Sequence, residues 1–574
     1  MRDTANANCR ELLDVLEAQG VRTIVASPGS RNTPVLIGAS ARDGFSTRMV
    51  NDERAAGFIA LGIAMATQKP VALCCTSGTA LYNYAPAVAE AYYQKIPLIV
   101  ISADRPSQWI EQDDSQTLRQ FEALSKIVKK SFDIPAEIGM TTPCRNKGYA
   151  TEREWYVNRI ANEAVLTATQ AQPGPVHINI QFAEPLNETI DYRPSQPRTV
   201  SIIKSNNGLQ IETLKEIWQY LATKRVMVVA GFMLPDDRLN RALMQFGKLR
   251  NVTILAETLS NLHLGDEAHM IDSVLAGMTD EDKENYRPDV VITIGGALVS
   301  RMIKEYLREY CGEHWTLGDT QLSIDCMQRL TTHIDITPAL FFKGVANISR
   351  YMAKKGLKAD HDYQRFWAEL RKSSVRRNEA ACASMPWSEY KALDMLFKKM
   401  PRGYNLFLSN GTSVRYGQLL IRRLPHACFS CRGVSGIDGT NATAAGIASS
   451  YDGTTLLITG DMSFSYYPEV LNPKNCTGDL RIVVVNNRGG GIFRFIRTTK
   501  DLEQREHYFC SDPELPVEGL ARAYGRPYMK AADERTMHEA LNFLWEMKNA
   551  VIEIEANPEI SAEILDRVLR GPKA

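Results

Sequence analysis

Short, near-continuous apolar runs recur along the chain, each followed by a polar loop and then by a helical pattern. Runs that are apolar throughout, rather than alternating, mark strands buried on both faces, and their alternation with helices predicts parallel sheets covered by helices. In the first third, residues 21–26, 48–50, 71–75 and 98–102 are such runs, and residues 172–180 close the region with a strand. They open into SPGSRNTP (27–34), NDERAAG (51–57) with a helix continuing through Met65, TSGT (76–79) and ADRP (103–106). All four loops should lie along one edge of the sheet, outside the carboxyl ends of its strands, where such folds keep their sites.

The same alternation returns in residues 225–230, 253–255 and 290–294, after Gly and Pro punctuation over 185–197 that reads as a linker. Residues 361–376 are charged and helical, a connector. The last third starts near Trp387 and offers strands at 405–408, 456–459 and 482–485, a small-residue helix over 440–450 fit for close packing, and, past residue 502, helices with one strand at 550–555. The expected fold class is α/β, three doubly wound parallel-sheet domains over residues 1–187, 198–355 and 375–574.

Composition narrows the function classes. Lys and Arg total 67 against 66 acids, a net charge of +1, which points neither to nucleic acid nor to an anionic membrane surface. Residues 1–8 are polar, without an apolar export region, and no apolar run reaches membrane-spanning length. Eleven cysteines are scattered, some inside apparent strands such as Cys74 and Cys75, as expected of reduced core thiols in a cytoplasmic protein. Cys428 and Cys431 form a lone CxxC, and His177 reads as a strand residue. The glycine turns after residues 229 and 294 lack GxGxxG with an acid downstream, which argues against a dinucleotide.

The richest chemistry lies between residues 456 and 493. One apolar run ends in Gly460-Asp461, the next in Asn486-Asn487 followed by Gly489, Gly490 and Gly491. A carboxylate from Asp461, an amide oxygen from Asn487 and the backbone carbonyl of Gly489 are three hard oxygens, leaving an octahedral Mg2+ room for phosphate oxygens and water. Gly-Asp alone is an ordinary turn; paired with Asn-Asn-x-Gly at the next strand end it is far more specific. Glu53, by contrast, is what a first helical turn favours after an Asp52 cap. Arg31, Arg105, Arg415 and Arg432 stand at predicted strand ends, and Arg grips carboxylates by paired hydrogen bonds, so substrates with several carboxylates are expected. Arg301 and Lys304, past the Gly295-Gly296 turn, are within reach of a substrate or line a solvated helix face.

This two-part stretch resembles the signature of thiamine-diphosphate-dependent enzymes, GDG followed by NN, with Met462 in place of the third glycine. The segments SPGSRNTP, NDERAAGFIALG, TSGTA, ADRP, SQTLRQ, RGVSGIDG, GDMS and NNRGGGIF, in that order, resemble the branch serving menaquinone biosynthesis. The resemblance implies a transferase that decarboxylates 2-oxoglutarate and adds the succinyl unit to isochorismate. The alternative is another thiamine-diphosphate-dependent 2-oxo acid decarboxylase or carboligase of the acetolactate-synthase kind.

The resemblance also assigns roles. Glu53 is the catalytic acid, at N1' of the cofactor's pyrimidine. Thr76, Ser77, Gly78, Ile437, Gly460, Ser463, Gly490, Ile492 and Phe493 join it in binding thiamine diphosphate, Ile437 as the wedge beneath the bent cofactor. Asp461, Asn487 and Gly489 hold Mg2+ or Mn2+. Ser30, Arg31, Arg105, Gln116, Arg301, Arg415 and Arg432 hold substrate carboxylates and hydroxyls. A homodimer with shared active sites is implied, and its dimers could pair into tetramers. The chain departs from the family pattern at Met302, Gly411, Cys431 and Tyr467-Pro468-Glu469.

Overall fold

Three all-parallel sheets carry the fold, as the near-continuous apolar runs predict. The computed structural model describes residues 2–136, 151–193, 196–203, 208–265, 269–318, 324–354 and 362–570, in two compact units.

The first unit is drawn from Met1–Lys204, Cys431–Asp452 and Asn472–Gly478. Its strands are β1 (Arg2–Thr4), β2 (Thr23–Ala26), β3 (Ser46–Met49), β4 (Val71–Cys75), β5 (Leu98–Asp104), β6 (Ser131–Ile134), β7 (Val176–Gln181) and β8 (Thr189–Asp191). The sheet runs β3-β2-β4-β5-β7-β6, and strand order reverses between β2 and β4, which opens a crevice at their carboxyl ends. β4, β5 and β7 are buried along their whole length. β6 was not expected, because its SFDI sequence alternates and is half-exposed. The expected linker over 185–197 contains β8, which pairs antiparallel with β1. This small ribbon is held by charge rather than apolar surface: buried Arg42 bridges Asp3 at 3.0 Å and Asp14 at 2.7 Å, and Tyr192 donates its hydroxyl to Asp14.

Helix Glu53–Thr67 starts with Asp52 accepting from the Ala55 N–H, and the small-residue helix Thr440–Ala448 packs along it. The contact is backbone on backbone. A Cβ at Gly62 would lie 2.1 Å from the Thr443 carbonyl oxygen, and one at Gly446 would lie 2.2 Å from that of Ile59.

The second unit is drawn from Ser205–Ser430, Gly453–Leu471 and Asp479–Ala574. Its first sheet comprises β9 (Val226–Ala230), β10 (Val252–Ala256), β11 (Val290–Ile294), β12 (Glu313–Leu317) and β13 (Leu330–Ile334), in order β10-β9-β11-β12-β13. Its second comprises β14 (Asn405–Leu408), β15 (Ala427–Phe429), β16 (Thr454–Gly460), β17 (Asp479–Asn486), β18 (Tyr528–Ala531) and β19 (Val551–Glu555). The order β15-β14-β16-β17-β19-β18 repeats the winding of the first unit's sheet. Four of these strands escape the sequence pattern: β12 and β13 are interrupted by polar residues, β15 has three residues, and β18 is a half-exposed edge. Past residue 502 the described residues therefore form two strands, not one. The charged connector is helix Tyr363–Ser384, longer than expected at its carboxyl end; His361 lies outside the described residues.

Each of the ten described cysteines is a free thiol, and only Cys326 is exposed. Among the described residues no helix is long and apolar enough to cross a membrane. The close helix crossing sets a stability test. Gly62→Val should cost about 1–3 kcal/mol by overpacking, measured as a lower thermal midpoint with the far-ultraviolet spectrum retained.

Candidate active site

β16 and β17 pair in parallel with Gly460 opposite Val485, so Asp461 and Asn487 emerge on the same edge of the sheet. Asp461 is 2% exposed and opens a short helix, Asp461–Ser465. Its Oδ1 accepts from the Met462 N–H at 2.7 Å and its Oδ2 from the Gly489 N–H at 2.8 Å. Burial pushes this carboxyl up to about 6, against the pull of those N–H donors. Asn487 is 3% exposed; its Nδ2 donates to Glu389 Oε1 at 2.8 Å, while its Oδ1 has no partner among the described residues.

Gly489 has φ +103°, and a Cβ there would lie 2.1 Å from the Cys510 carbonyl oxygen, so backbone conformation and space both demand glycine. Its own carbonyl accepts from the Gly491 N–H at 2.7 Å, leaving one lone pair. A buried amide oxygen without a donor, beside a buried carboxylate and a backbone carbonyl, is a donor set suited to a hard divalent cation. Gly460 and buried Ser463 adjoin it in the chain. Half-buried Gly490, Ile492 and Phe493 form the turn beyond, the Phe493 ring 5.6 Å from that of Phe509. Two supporting residues escaped the sequence reading. Arg494 donates to the Asn487 carbonyl at 3.1 Å and pairs with Glu506 at 2.8 Å. Glu389, the first residue of helix Glu389–Lys399, looks in sequence like any acid in a first helical turn.

Arg415 and Arg301 also belong to this unit. Half-buried Arg415 donates through Nη1 to the Gly411 carbonyl, and exposed Arg301 opens helix Arg301–Tyr310 behind its cap Ser300. The Ser300 hydroxyl donates to buried Asp272. Burial pushes the Asp272 carboxyl up, opposed by that hydroxyl and by Arg415 and Lys304, so one buried acid acts both on Arg415 and on the start of the helix that carries Arg301.

In the first unit the carboxyl edge of the sheet collects the other half of the expected residues. Glu53 is half-buried at the start of its helix. Its charge acts on Cys75 at the end of β4, whose thiol is pushed well up by burial first, then by Cys74 and by Glu53. Thr76 and Ser77 are buried; Thr76 Oγ1 accepts from the Arg31 N–H at 3.2 Å. Gly78 has φ +87°, and its N–H donates to Gln120 Oε1 at 2.7 Å, while Gln116 Nε2 donates to the Ser77 carbonyl at 3.1 Å.

Arg31 is 4% exposed, bonded to the Phe182 carbonyl at 3.1 Å and to Glu184 at 3.2 Å. Burial and the nearby Arg105 depress its pKa, against Glu184. Arg105 pairs with Asp114 at 2.7 Å, and Ser30 is exposed beside Arg31. Of SQTLRQ, Gln116 and buried Gln120 bond to the Ser77-Gly78 turn, whereas the Arg119 side chain is 78% exposed and paired with Glu111. Arg432 and Ile437, both half-buried, ride on a loop whose Gly433 and Val434 N–H groups donate to buried Glu90 at 2.6 and 2.8 Å. Neither Gln120 nor Glu90 carries a sequence signal beyond its neighbours.

A family model described as "Thiamine pyrophosphate enzyme, N-terminal TPP binding domain" matches residues 10–123. A relative from Porphyromonas gingivalis is 38% identical over 92% of this chain and 90% of its own length, and is named 2-succinyl-5-enolpyruvyl-6-hydroxy-3-cyclohexene-1-carboxylate synthase. Relatives of the same name from Flavobacterium psychrophilum and Cytophaga hutchinsonii are each 33% identical, over 95% and 97% of this chain and 94% and 97% of their own lengths. The chain belongs to the 2-succinyl-5-enolpyruvyl-6-hydroxy-3-cyclohexene-1-carboxylate synthase family. The stretch of this synthase-family chain matched by the domain model holds Ser30, Arg31, Glu53, Thr76, Ser77, Gly78, Arg105 and Gln116, the residues gathered at the first sheet's carboxyl edge.

His177 sits in β7, fully buried, with Nε2 2.7 Å from the Ser102 hydroxyl, as a strand residue should. Burial lowers its pKa to about 4. The unfolded imidazole, near 6.5, takes its proton first as pH falls, so the stability it contributes is intact above about 6.5 and lost by about 4. His177→Gln should therefore shrink the stability lost between pH 7.5 and pH 5 by about 2 kcal/mol, read from urea midpoints at the two pH values.

Proposed function

We propose that this chain catalyses the thiamine-diphosphate-dependent decarboxylation of 2-oxoglutarate and the 1,4-addition of the succinyl unit to isochorismate. The products would be carbon dioxide and the carboxylate in its relatives' name, an intermediate of menaquinone biosynthesis. The observation that carries the reading is the pair of strand ends that set Asp461 beside Gly489, with the Asn487 amide oxygen buried and unpartnered among the described residues.

Thiamine diphosphate, when bound, supplies the carbanion chemistry that decarboxylation and carbon–carbon bond formation require. The chain's part is to hold, orient and exclude water. Asp461, Asn487 and the Gly489 carbonyl would hold Mg2+ or Mn2+ against the diphosphate, with Gly460, Ser463 and Gly490 lining its approach. Thr76, Ser77 and Gly78 would border the pyrimidine, and Glu53 would exchange a proton with N1'. Ile437 would support the cofactor from below, and Ile492 and Phe493 would keep water from the reacting carbon. Ser30, Arg31, Arg105, Gln116, Arg301, Arg415 and Arg432 would hold the carboxylates and hydroxyls of the two substrates, Arg by paired hydrogen bonds.

Three further readings belong here. The strands β2–β7, β9–β13 and β14–β19 fall within residues 1–187, 198–355 and 375–574, one sheet in each, which supports three domains, although β8 at Thr189–Asp191 carries the first past residue 187. The free buried cysteines support a cytoplasmic setting. The active unit is a homodimer in which Glu53 of one subunit serves the cofactor held by Asp461 and Asn487 of the partner subunit.

Steady-state assays test the reading. Product should form from 2-oxoglutarate with isochorismate; turnover of pyruvate alone, with isochorismate without effect, would make the chain an acetolactate-synthase-like enzyme instead. Glu53→Gln should lower kcat at least about a hundredfold. Mixing inactive Glu53→Gln and Asp461→Ala chains should restore activity in hybrids, and no recovery after verified subunit exchange would rule out shared sites.

A further inference from the structure

We infer that Glu389 is a positioning residue for the metal site, turning the Asn487 amide so that its oxygen rather than its NH2 group is presented to the cation. The inference rests on the metal-diphosphate reading above and concerns a side chain that reading does not use.

The two ends of an asparagine amide have nearly the same shape, so their hydrogen-bond partners decide which way it faces. Here Asn487 Nδ2 is committed to Glu389 Oε1 at 2.8 Å. Turning the amide over would set its oxygen against a carboxyl acceptor and leave a buried NH2 group without one, two penalties with no compensating bond. Glu389 can impose this because it is buried and its backbone is anchored. It is 2% exposed, and its N–H donates to Ser561 Oγ at 3.1 Å. Ser388 caps its helix by accepting from the Lys391 N–H, and Trp387 Nε1 donates to the Glu555 carbonyl at 2.8 Å, at the end of β19, the strand beside β17.

From the opposite side Arg494 holds the Asn487 carbonyl, so both the backbone and the amide of this residue are fixed. What remains is Oδ1, an acceptor with no donor among the described residues. An oxygen already aimed and already stripped of water needs no reorganisation when a cation arrives.

The test measures the Mg2+ dependence of thiamine diphosphate binding by calorimetry, and Mn2+ binding by electron paramagnetic resonance. Glu389→Gln keeps an acceptor oxygen at the same reach without the charge. Glu389→Met keeps the length without any acceptor. Glu389→Met should weaken metal binding about 10–100-fold, the usual effect of losing a partner behind a ligand, and Glu389→Gln, whose amide adds a donor to the acceptor and so only partly enforces the orientation, should fall between it and the parent. In an Asn487→Ala background Glu389→Met should cost nothing more, because the two act as one unit. Glu389→Ser, too short to reach the amide, replaces the methionine variant if that chain does not fold, with the same expectation.

Unchanged metal affinity without an acceptor at 389 overturns the inference, as does an equal loss in the Asn487→Ala background. A loss in Glu389→Gln larger than in Glu389→Met overturns it too, because an acceptor facing the amide would then bring no benefit. If the parent chain binds thiamine diphosphate with no dependence on a divalent metal, the metal-diphosphate reading itself fails, a result distinct from these.

Discussion

The site depends on one pairing, that of β16 with β17 in parallel. Both strands are buried along nearly their whole length, so a polar side chain in their middle is costly, and the polar groups free to meet a ligand come after the last apolar residue. Parallel pairing sends both ends to the same edge. Had the two strands run antiparallel, Asp461 and Asn487 would stand at opposite ends of the sheet, and the Gly489 N–H could not reach the Asp461 carboxylate. The glycine turn then follows: at φ +103° and against the Cys510 carbonyl, no other residue lets the chain close back over Asp461.

The first unit's sheet has the same winding, and shows how an interior admits polar groups that are linked to one another. Asn179, in the buried strand β7, donates through Nδ2 to Asp104 at 3.1 Å and to Asp133 at 2.9 Å. Its Oδ1 accepts from Ser102 and from Gln120, and Gln120 in turn accepts from Gly78. Burial still pushes the Asp104 carboxyl up to about 6. This chain of bonds fastens the turn after β4 to the far strands of the sheet, so the loop carrying Thr76, Ser77 and Gly78 is anchored from below as well as by its neighbours.

What the sequence made legible follows the same physics. Strands that are mostly apolar and buried, such as β4, β11 and β14, are read to the residue, with Thr293 and Asn405 the only polar residues among them. β6, β13 and β18 lie at sheet edges, half-exposed, and β1 with β8 is held by Arg42 between two acids, so no apolar run announces any of them. The meeting of Asp461, Asn487 and Gly489 was legible because two neighbouring parallel strands that end together bring the residues after them together. Glu389, Glu90 and Gln120 were not, because a buried acid or amide that orients another group has the same local sequence as one that caps a helix or faces water. Close packing of the small-residue helix over 440–448 could be foreseen, but not its partner: the fit of Gly446 against Ile59 is a matter of shape across nearly four hundred residues.

The electrostatics of the second unit add a last step. Asp461 and Glu389 are both buried, both pushed up by burial, and each lies near enough to Asn487 to hydrogen-bond with that residue's amide or backbone. Asp461 raises Glu389 further, while Asn487, Tyr416 and Arg494 pull it down. Arg494 is shared with Glu506, so it offsets only part of two interior acids. Where these carboxyls are ionised, their charge favours a cation at the Asn487 amide oxygen, which has no partner among the described residues, and disfavours another anion. A diphosphate could not approach such a surface by itself; a divalent cation between them reverses the sign of the encounter. On the proposed reading, the cation is thus required by the acids that surround its ligands as much as by the phosphate it would carry.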